Sequence, residues 1–293
     1  MKNRPTAQAR RRLRPRRDPP IIAVCYDFDG TLSPRNMQEY DYIPKLRLSS
    51  RKFWREAQER AREQGADEIH SYMRLMLEKA TPASGVQITK KAFIDYGRTI
   101  PLFPGVKSWF PRMNAFGSRL GASVRHFIIS SGIREMILGT PIAGEFERIY
   151  ASSFMFDQNG VAYWPALALN FTTKTQFLFR INKGVLDPWD DSRINDFIPM
   201  AERPVPFSRM IYIGDGTTDI PCMKLVKEQR GYSIAVFPPG PGKKAVAERL
   251  RGENRVNFTA PADYRAGRPL DLQVKATLRK IMAEYALLGG EKK

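Results

Sequence analysis

Short runs of apolar residues, each ending at a polar or glycine-containing turn, recur along the chain. The first, Ile21–Tyr26, consists of apolar and β-branched residues and stops at Asp27. Such continuous runs are typical of strands buried on both faces of a parallel sheet. Four later runs have the same character, namely His126–Ser130, Met210–Ile213, Tyr232–Val236 and Val256–Thr259.

Helical spacing of apolar residues marks the segments between the strands. Ser49 or Ser50 can cap a helix that runs to about Glu63, and Asp67 can cap the next one. Thr172 and Thr173 can cap the helix that starts at Lys174. Further helices are predicted at Thr89–Gly97, Val106–Phe116, Ile133–Leu138, Lys174–Asn182, Ile220–Glu228, Lys244–Leu250 and Leu270–Leu288. Strands that alternate with helices imply an α/β fold, with a parallel sheet and right-handed crossovers.

Two segments interrupt this alternation. Residues 34–102 are too many for one crossover helix, so we interpret them as an inserted helical subdomain. The α/β core then comprises residues 21–33 and 103–293. Ile149–Ala168 has the pattern of extended structure, in which a turn at Asp157–Gly160 predicts a hairpin.

The composition fits a folded chain with an excess of positive charge. Of the 293 residues, 42% are hydrophobic, which is enough for a core. The net charge is +18, of which the arm Met1–Pro20 carries +7 and the rest of the chain +11. The arm is predicted to be a disordered, solvated tail, but such a segment can also bind nucleic acid, anionic lipid or an acidic partner. A transit peptide is a third alternative, against which the four prolines of the arm and its lack of serine argue.

Cysteine and histidine usage limits the kind of site that the chain can build. Cys25 and Cys222 lie in apolar surroundings and are predicted to be reduced core residues. With only His70 and His126 besides, a zinc cluster has no recognisable spacing, so any metal must be held by oxygen. No apolar run approaches the roughly 18 residues of a membrane span. We therefore expect a soluble, cytoplasmic protein, whose oligomeric state the sequence does not indicate.

Carboxylates follow the first strand directly. Asp27 and Asp29 are one residue apart and therefore point to the same side of an extended chain. They lie at the carboxyl end of the strand, where open α/β sheets bind ligands. Two carboxylates placed in this way can converge on Mg²⁺, which prefers oxygen ligands. The alternative is an ordinary Asp–Gly turn after a strand. Other chemistry-bearing residues at strand ends or helix starts are Ser130, Lys174, Asp215 and Asp219.

Two of these residues are suited to an anion. Ser130 ends a strand and faces the start of a helix, where anions bind readily, although a serine there is also an ordinary strand-to-turn transition. Lys174 lies in the first turn of its predicted helix, where the helix dipole disfavours a cation. This placement indicates an anionic partner for Lys174, with Lys183 as the alternative lysine.

Four segments, in family order, resemble the motifs of haloacid dehalogenase-like (HAD) hydrolases. They are DFDGT at Asp27–Thr31, FIISSG at Phe127–Gly132, Lys174 ahead of a helix, and GDGTTD at Gly214–Asp219. The resemblance covers about Ile21–Ala260, and the helical insert is similar to the cap of the phosphoserine-phosphatase-like branch. It implies a Rossmann-like parallel sheet with helices on both faces and an inserted helical cap.

The resemblance also implies a Mg²⁺-dependent phosphatase. Asp27 would be the nucleophile that forms an aspartyl-phosphate, and Asp29 would protonate the leaving oxygen and then activate water. Mg²⁺ would be held by Asp27, the backbone carbonyl of Asp29 and Asp215. Asp219 would complete this acidic cluster by orienting a metal-bound water or Lys174.

The remaining motif residues would bind the phosphoryl group. The resemblance assigns this role to Ser130 and Lys174, with Ser131 and Gly132 beside them, where positioning and electrostatics carry most of the catalysis. Thr31 would orient the acid. Because the fourth motif follows Lys174 at a long interval, Lys183 stays open as the phosphate-binding lysine.

The substrate is the least constrained part of the prediction. A small phosphorylated metabolite is expected, and Arg35, Gln38 and Glu39 either face it or form an exposed polar surface. The basic balance of the chain suggests a nucleic-acid end phosphatase as an alternative enzyme. A regulatory or RNA-associated binding protein that retains the fold is the alternative outside catalysis.

Overall fold

A computed structural model describes residues 18–239 and 242–288, so most of the predicted arm, residues 1–17, lies outside the described residues. Within them, the strands form one sheet in the order β4-β3-β2-β1-β5-β6-β7. Neighbouring strands are parallel except for β3 and β4, which are antiparallel. The strands are β1 (Ile21–Tyr26), β2 (Ser123–Ile133), β3 (Arg148–Phe156), β4 (Ala162–Leu167), β5 (Met210–Gly214), β6 (Tyr232–Phe237) and β7 (Phe258–Pro261).

The helices follow the predicted order, and the short helix α1 is an addition. Side chains cap α2, α3 and α4 as expected, since Ser49, Asp67 and Thr89 accept hydrogen bonds from backbone N–H groups of the first turns. The helices are α1 (Tyr42–Lys45), α2 (Ser50–Gln64), α3 (Glu68–Lys79), α4 (Lys90–Gly97), α5 (Val106–Arg119), α6 (Arg134–Leu138), α7 (Lys174–Lys183), α8 (Ile220–Glu228), α9 (Lys243–Gly252) and α10 (Pro269–Leu287).

Strand β1 lies at the centre of the sheet and is buried on both faces. Its side chains alternate between two apolar cores, with Ile22 and Val24 in one and Ala23 and Cys25 in the other. Burying a Val or Ile side chain stabilises the fold by about 1.5–3 kcal/mol, so this alternation fixes the strand firmly. The α/β prediction with helices on both faces is thereby confirmed, and the backbone that carries Asp27 is held rigidly.

A chain of buried hydrogen bonds holds the side chain of Tyr26, the last residue of β1. Trp109 Nε1 donates to the Tyr26 hydroxyl at 2.8 Å, and this hydroxyl lies 3.0 Å from His126 Nδ1. His126 Nε2 lies 2.9 Å from Asn114 Oδ1. Burial lowers the pKa of His126 to about 3, so the ring is neutral and can accept from Tyr26 while it donates to Asn114. The network orients Tyr26, the residue before Asp27.

A strand end and a helix cap illustrate how the structure differs from the sequence-based expectation. Strand β2 continues to Ile133 instead of ending at Ser130, because its pairing with β3 resumes after an irregularity between these two residues. The start of α7 is capped by Asn170, whose Oδ1 accepts from the backbone N–H groups of Thr172 and Thr173, and not by a threonine hydroxyl. The predicted hairpin is present as β3 and β4.

Residues 34–102 contain α1 to α4, as an inserted helical segment requires. Apolar residues of α2 and α3, among them Phe53 and Met76, are fully buried. That this segment forms a separate cap subdomain stays a prediction. Cys25 and Cys222 are buried and free, as expected. Within the described part of the chain, every helix is too short or too polar to cross a membrane.

Candidate active site

The polar residues singled out in the sequence converge at one edge of the sheet. Asp27 follows β1 and Asp215 follows β5, the strand paired with β1, while Ser130 lies in β2 on the other side. The strand order reverses at β1, since β2 to β4 lie on one side of it and β5 to β7 on the other. Open α/β sheets form their ligand crevice at such a point. The backbone N–H of Asp27 donates to the carbonyl of Ile213 at 3.0 Å, which fixes the two carboxylate-bearing ends together.

Three carboxylates form a compact cluster. One oxygen each from Asp27, Asp215 and Asp219 lies within 4.8 Å of the others. Burial and the neighbouring carboxylates raise the pKa of Asp215 to about 8, and the same causes, opposed by Lys174, raise the pKa of Asp27 to about 6. This unfavourable concentration of negative charge is what a bound cation would relieve.

The donor set of the cluster fits a hard divalent metal ion. All its ligating atoms are carboxylate oxygens, which Mg²⁺ prefers. Asp219 Oδ1 accepts from Lys174 Nζ at 2.8 Å and from the Tyr212 hydroxyl at 2.7 Å, whereas its Oδ2 is buried with no hydrogen-bond partner. A buried carboxylate oxygen without a partner is costly, and a cation or its water would satisfy it.

Lys174 is the cation that the structure places among these carboxylates. Its side chain is fully buried, with Nζ 2.8 Å from Asp219 Oδ1 and 3.1 Å from Asp27 Oδ1. Burial by itself lowers the pKa of an amine, but Asp219 and Asp27 raise the pKa of Lys174 above its ordinary value, so it stays charged. Lys183 lies at the other end of α7 and donates to the carbonyls of Ile194 and Asp196, away from the cluster.

Asp29 is held in a tight loop after β1. Its Oδ1 accepts from the backbone N–H of Met37 at 3.0 Å. Burial and the charge of Asp27 raise the pKa of Asp29 well above its ordinary value, which favours the protonated acid. Thr31 is fully buried, but its hydroxyl has no hydrogen-bond partner, so the structure does not show the contact by which it would orient the acid. Its carbonyl instead accepts from Tyr264.

The segment Ser130–Gly132 borders the same space. Ser130 Oγ is buried and accepts from the backbone N–H of Gly132 at 3.1 Å. The Ser131 hydroxyl is buried without a partner, and its carbonyl accepts from the hydroxyl of Tyr72 at 2.6 Å. A Cβ on Gly132 would lie 2.9 Å from Asp29 Oδ2, so glycine permits the close approach of the acid. These groups can offer hydroxyl donors to an anion beside Asp29.

A cleft of about 440 Å³ opens over these groups. Asp27, Asp29, Asp215 and the Ser130–Gly132 segment form one part of its lining, and Lys243 joins them at the start of α9. A second part comes from the inserted helical segment, with Gln38, Trp54, Gln58, Glu68 and Tyr72 among its members. The cleft is therefore large enough for a small substrate that contacts both parts of the chain.

Several residues of the site were not anticipated from the sequence. Tyr212 lies within an apolar strand and has no local signal that distinguishes it from a core residue. Tyr72 has helical spacing with apolar neighbours, so it too resembles a core residue. Gln38, for which an exposed polar surface was one expectation, is only 2% exposed, and Arg35 is exposed outside the cleft lining.

Gly30 allows Asp215 to approach the loop that carries Asp29. Its φ is +78°, and a Cβ there would lie 2.1 Å from Asp215 Oδ2. We expect Gly30→Ala to weaken Mg²⁺ affinity by about 10- to 100-fold, because the carboxylate must move away. Gly65→Ala is the matched control, since its φ is also positive, +59°, but nothing lies within 4 Å of its Cβ. Calorimetric Mg²⁺ titration measures the difference, and equal affinities of the two variants would contradict it.

Comparisons with known proteins place the chain in a family. A family model described as haloacid dehalogenase-like hydrolase matches residues 24–224. An uncharacterized protein of Borreliella burgdorferi is 28% identical over 273 residues, which cover 85% of this chain and 94% of that protein.

Solved structures share the fold at low sequence identity. A HAD family hydrolase from Salmonella enterica subsp. enterica serovar Typhi has a TM-score of 0.57 at 16% identity, over 88% of this chain and 72% of that one. A phosphoserine phosphatase, solved as an analogue of its phospho-aspartyl intermediate, has a TM-score of 0.51 at 13% identity, over 88% and 99%. Because the family model covers most of the chain, the chain belongs to the haloacid dehalogenase-like hydrolase family.

Proposed function

We propose that this chain is a Mg²⁺-dependent phosphomonoester hydrolase that works through an aspartyl-phosphate at Asp27. The observation that carries the proposal is the ion pair between Asp27 Oδ1 and the buried Lys174 Nζ, 3.1 Å apart. Asp27 also belongs to the cluster of three carboxylates. The phosphoserine phosphatase that shares the fold was solved with an analogue of a phospho-aspartyl intermediate, which supports the same type of intermediate here.

In the first step, a carboxylate oxygen of Asp27 attacks the phosphorus of the substrate. A bond forms between this oxygen and phosphorus while the bond from phosphorus to the alcohol oxygen breaks. The protonated carboxyl of Asp29 gives its proton to the departing oxygen, a role that its raised pKa suits. Lys174 and the hydroxyls of Ser130 and Ser131 stabilise the charge of the transferring phosphoryl group.

In the second step, the Asp29 carboxylate takes a proton from water as the water oxygen attacks phosphorus. The bond between phosphorus and Asp27 breaks, inorganic phosphate leaves, and Asp27 and Asp29 return to their initial states. Asp27, Asp215 and the Asp29 carbonyl would hold Mg²⁺, and Asp219 would position Lys174 through its 2.8 Å contact. When bound, the ion would offset the repulsion between the Asp27 carboxylate and the phosphate.

The proposal is tested by phosphate release from a panel of small phosphate esters. We expect hydrolysis of at least one ester with Mg²⁺, loss of hydrolysis with EDTA, and recovery when Mg²⁺ is added in excess. Failure of well-folded, Mg²⁺-loaded protein to release phosphate from any ester would contradict the proposal. The nucleic-acid alternatives rest on the basic balance of the chain, part of which comes from residues 1–17, outside the described residues, and they stay predictions.

A further inference from the structure

Gln38 lies in a turn that contacts Asp29, the residue proposed to protonate the leaving group. It belongs to the 3₁₀ turn Met37–Glu39, whose first residue donates its backbone N–H to Asp29 Oδ1 at 3.0 Å. The sulfur of Met37 also accepts from the backbone N–H of Ile133 at 3.1 Å, so the turn is tied to both sides of the site. Gln38 therefore has a fixed position next to the residue that protonates the departing oxygen.

The amide oxygen of Gln38 lacks a partner. The side chain is 2% exposed and lines the cleft, and its buried Oε1 has no hydrogen-bond partner. Leaving a buried acceptor unpaired costs free energy, and a ligand that supplies a donor would recover it. The natural donors of a small substrate are hydroxyl and ammonium groups.

Apart from the amide of Gln38 itself, the side-chain donors of the inserted segment that line the cleft each make a hydrogen bond. Trp54 Nε1 and Asn36 Nδ2 both donate to Glu39 Oε1, at 2.8 and 3.0 Å. Gln58 Nε2 donates to Glu68 Oε1 at 3.0 Å, in a pair that lines the cleft. The hydroxyl of Tyr72 donates to the Ser131 carbonyl. Besides the amide of Gln38, what this surface offers a ligand is the carboxylate of Glu68.

The charged side chains that line the cleft are mainly acidic. Among the described residues that line it, the one cation is Lys243, an exposed residue at the start of α9. Lys243 therefore belongs to the part of the lining that includes Asp27 and Asp215, and not to the inserted segment. A carboxylate or a second phosphate on the leaving group would face Glu68 with no cation of the inserted segment beside it, and such a like-charge contact opposes binding.

We propose that the substrate is the phosphomonoester of a small alcohol that carries a hydroxyl or ammonium donor for Gln38 and no second anionic group. This inference rests on the proposed function. It excludes phosphoserine as the preferred substrate, because phosphoserine bears a carboxylate beside its ammonium group.

A series of two-carbon esters isolates the effect of each group. On the alcohol part, ethyl phosphate carries neither a hydrogen-bond donor nor a charged group. 2-Hydroxyethyl phosphate and O-phosphoethanolamine carry a donor there, and phosphoglycolate carries a carboxylate. We expect kcat/KM for each donor-bearing ester to exceed that for ethyl phosphate by at least about tenfold, and phosphoglycolate to lie about tenfold or more below it. O-phosphoserine should be hydrolysed less well than O-phosphoethanolamine.

Two variants connect the preference to the residues. Gln38→Leu should reduce the ratio of kcat/KM for 2-hydroxyethyl phosphate over ethyl phosphate to about 1, whereas Gln176→Leu, at an exposed position of α7 outside the cleft, should keep the wild-type ratio. Glu68→Lys, at an exposed position, should raise the rate with phosphoglycolate relative to ethyl phosphate.

The outcomes separate this inference from the proposed function. If phosphoglycolate or O-phosphoserine has the highest kcat/KM of the series, the proposed phosphatase function is retained and the assignment of the leaving group is wrong. An unchanged ratio in Gln38→Leu would overturn the role of Gln38. If no ester of the series or of a wider panel is hydrolysed, the proposed function itself fails and this inference fails with it.

Discussion

Asp27→Asn is expected to lower kcat by at least about 10⁴-fold, because an amide cannot act as the nucleophile in phosphoryl transfer. The fold should tolerate the change. Asparagine has nearly the same shape, and burial already raises the pKa of Asp27 to about 6, so its charge is unfavourable in the protein without metal. We therefore expect Asp27→Asn to unfold, in the presence of EDTA, at the same temperature as the wild type or a higher one.

The matched control is Asp18→Asn, which removes the same charge at an exposed position before β1. It should retain wild-type activity. Phosphate release and thermal unfolding, measured on both variants from parallel preparations, give the comparison. Equal activity of Asp27→Asn and wild type would mean that Asp27 is not the nucleophile, or that the release came from a contaminant.

Lys174→Met is expected to damage both stability and activity. It leaves Asp27 and Asp219 without the cation that lies 3.1 and 2.8 Å from them. The Lys174 side chain is fully buried, so water does not replace it. Removing one partner of a buried ion pair lowers the free energy of unfolding by about 3–5 kcal/mol. Loss of a charge-stabilising donor should reduce kcat by about 10²–10³-fold. Denaturant unfolding and phosphate release at saturating Mg²⁺ measure the two effects.

Lys183→Met is the control for this second change. Lys183, at the end of α7, is half-buried and donates only to the backbone carbonyls of Ile194 and Asp196, so its removal should cost little stability and leave kcat close to that of wild type. A loss of activity in Lys183→Met with retention in Lys174→Met would reverse the assignment of the phosphate-binding lysine.

The strands and helices could be predicted because burial and capping leave local marks in the sequence. Residues of β1, such as Val24 and Cys25, are buried on both faces and so form a continuous apolar run. Helix α8 was predicted with its observed bounds, Ile220–Glu228. The cap of α7 was missed because Asn170 lies in an extended connection, where its side chain carries no helical signal and only the observed turn brings it to the backbone of Thr172 and Thr173.

The polar members of the site could be predicted from strand ends, but their partners could not. The contact of Tyr212 with Asp219 depends on the 3₁₀ turn at Thr217–Asp219 that folds the carboxylate back over β5. The burial of Gln38 depends on the loop that Asp29 and Met37 close, which residue spacing does not reveal. Sequence position left Lys174 and Lys183 as alternatives, and only the rotation and burial of α7 distinguish them.

The central claim, a covalent aspartyl-phosphate at Asp27, is tested most directly by stopping turnover with acid and locating phosphate on the protein. With a radiolabelled ester, we predict transient labelling of no more than one phosphoryl group per chain, on the peptide that contains Asp27. The label should be released by hydroxylamine, as an acyl phosphate is, and be absent from Asp27→Asn. Rapid turnover with no protein-bound label, or a label on another residue, would contradict the mechanism.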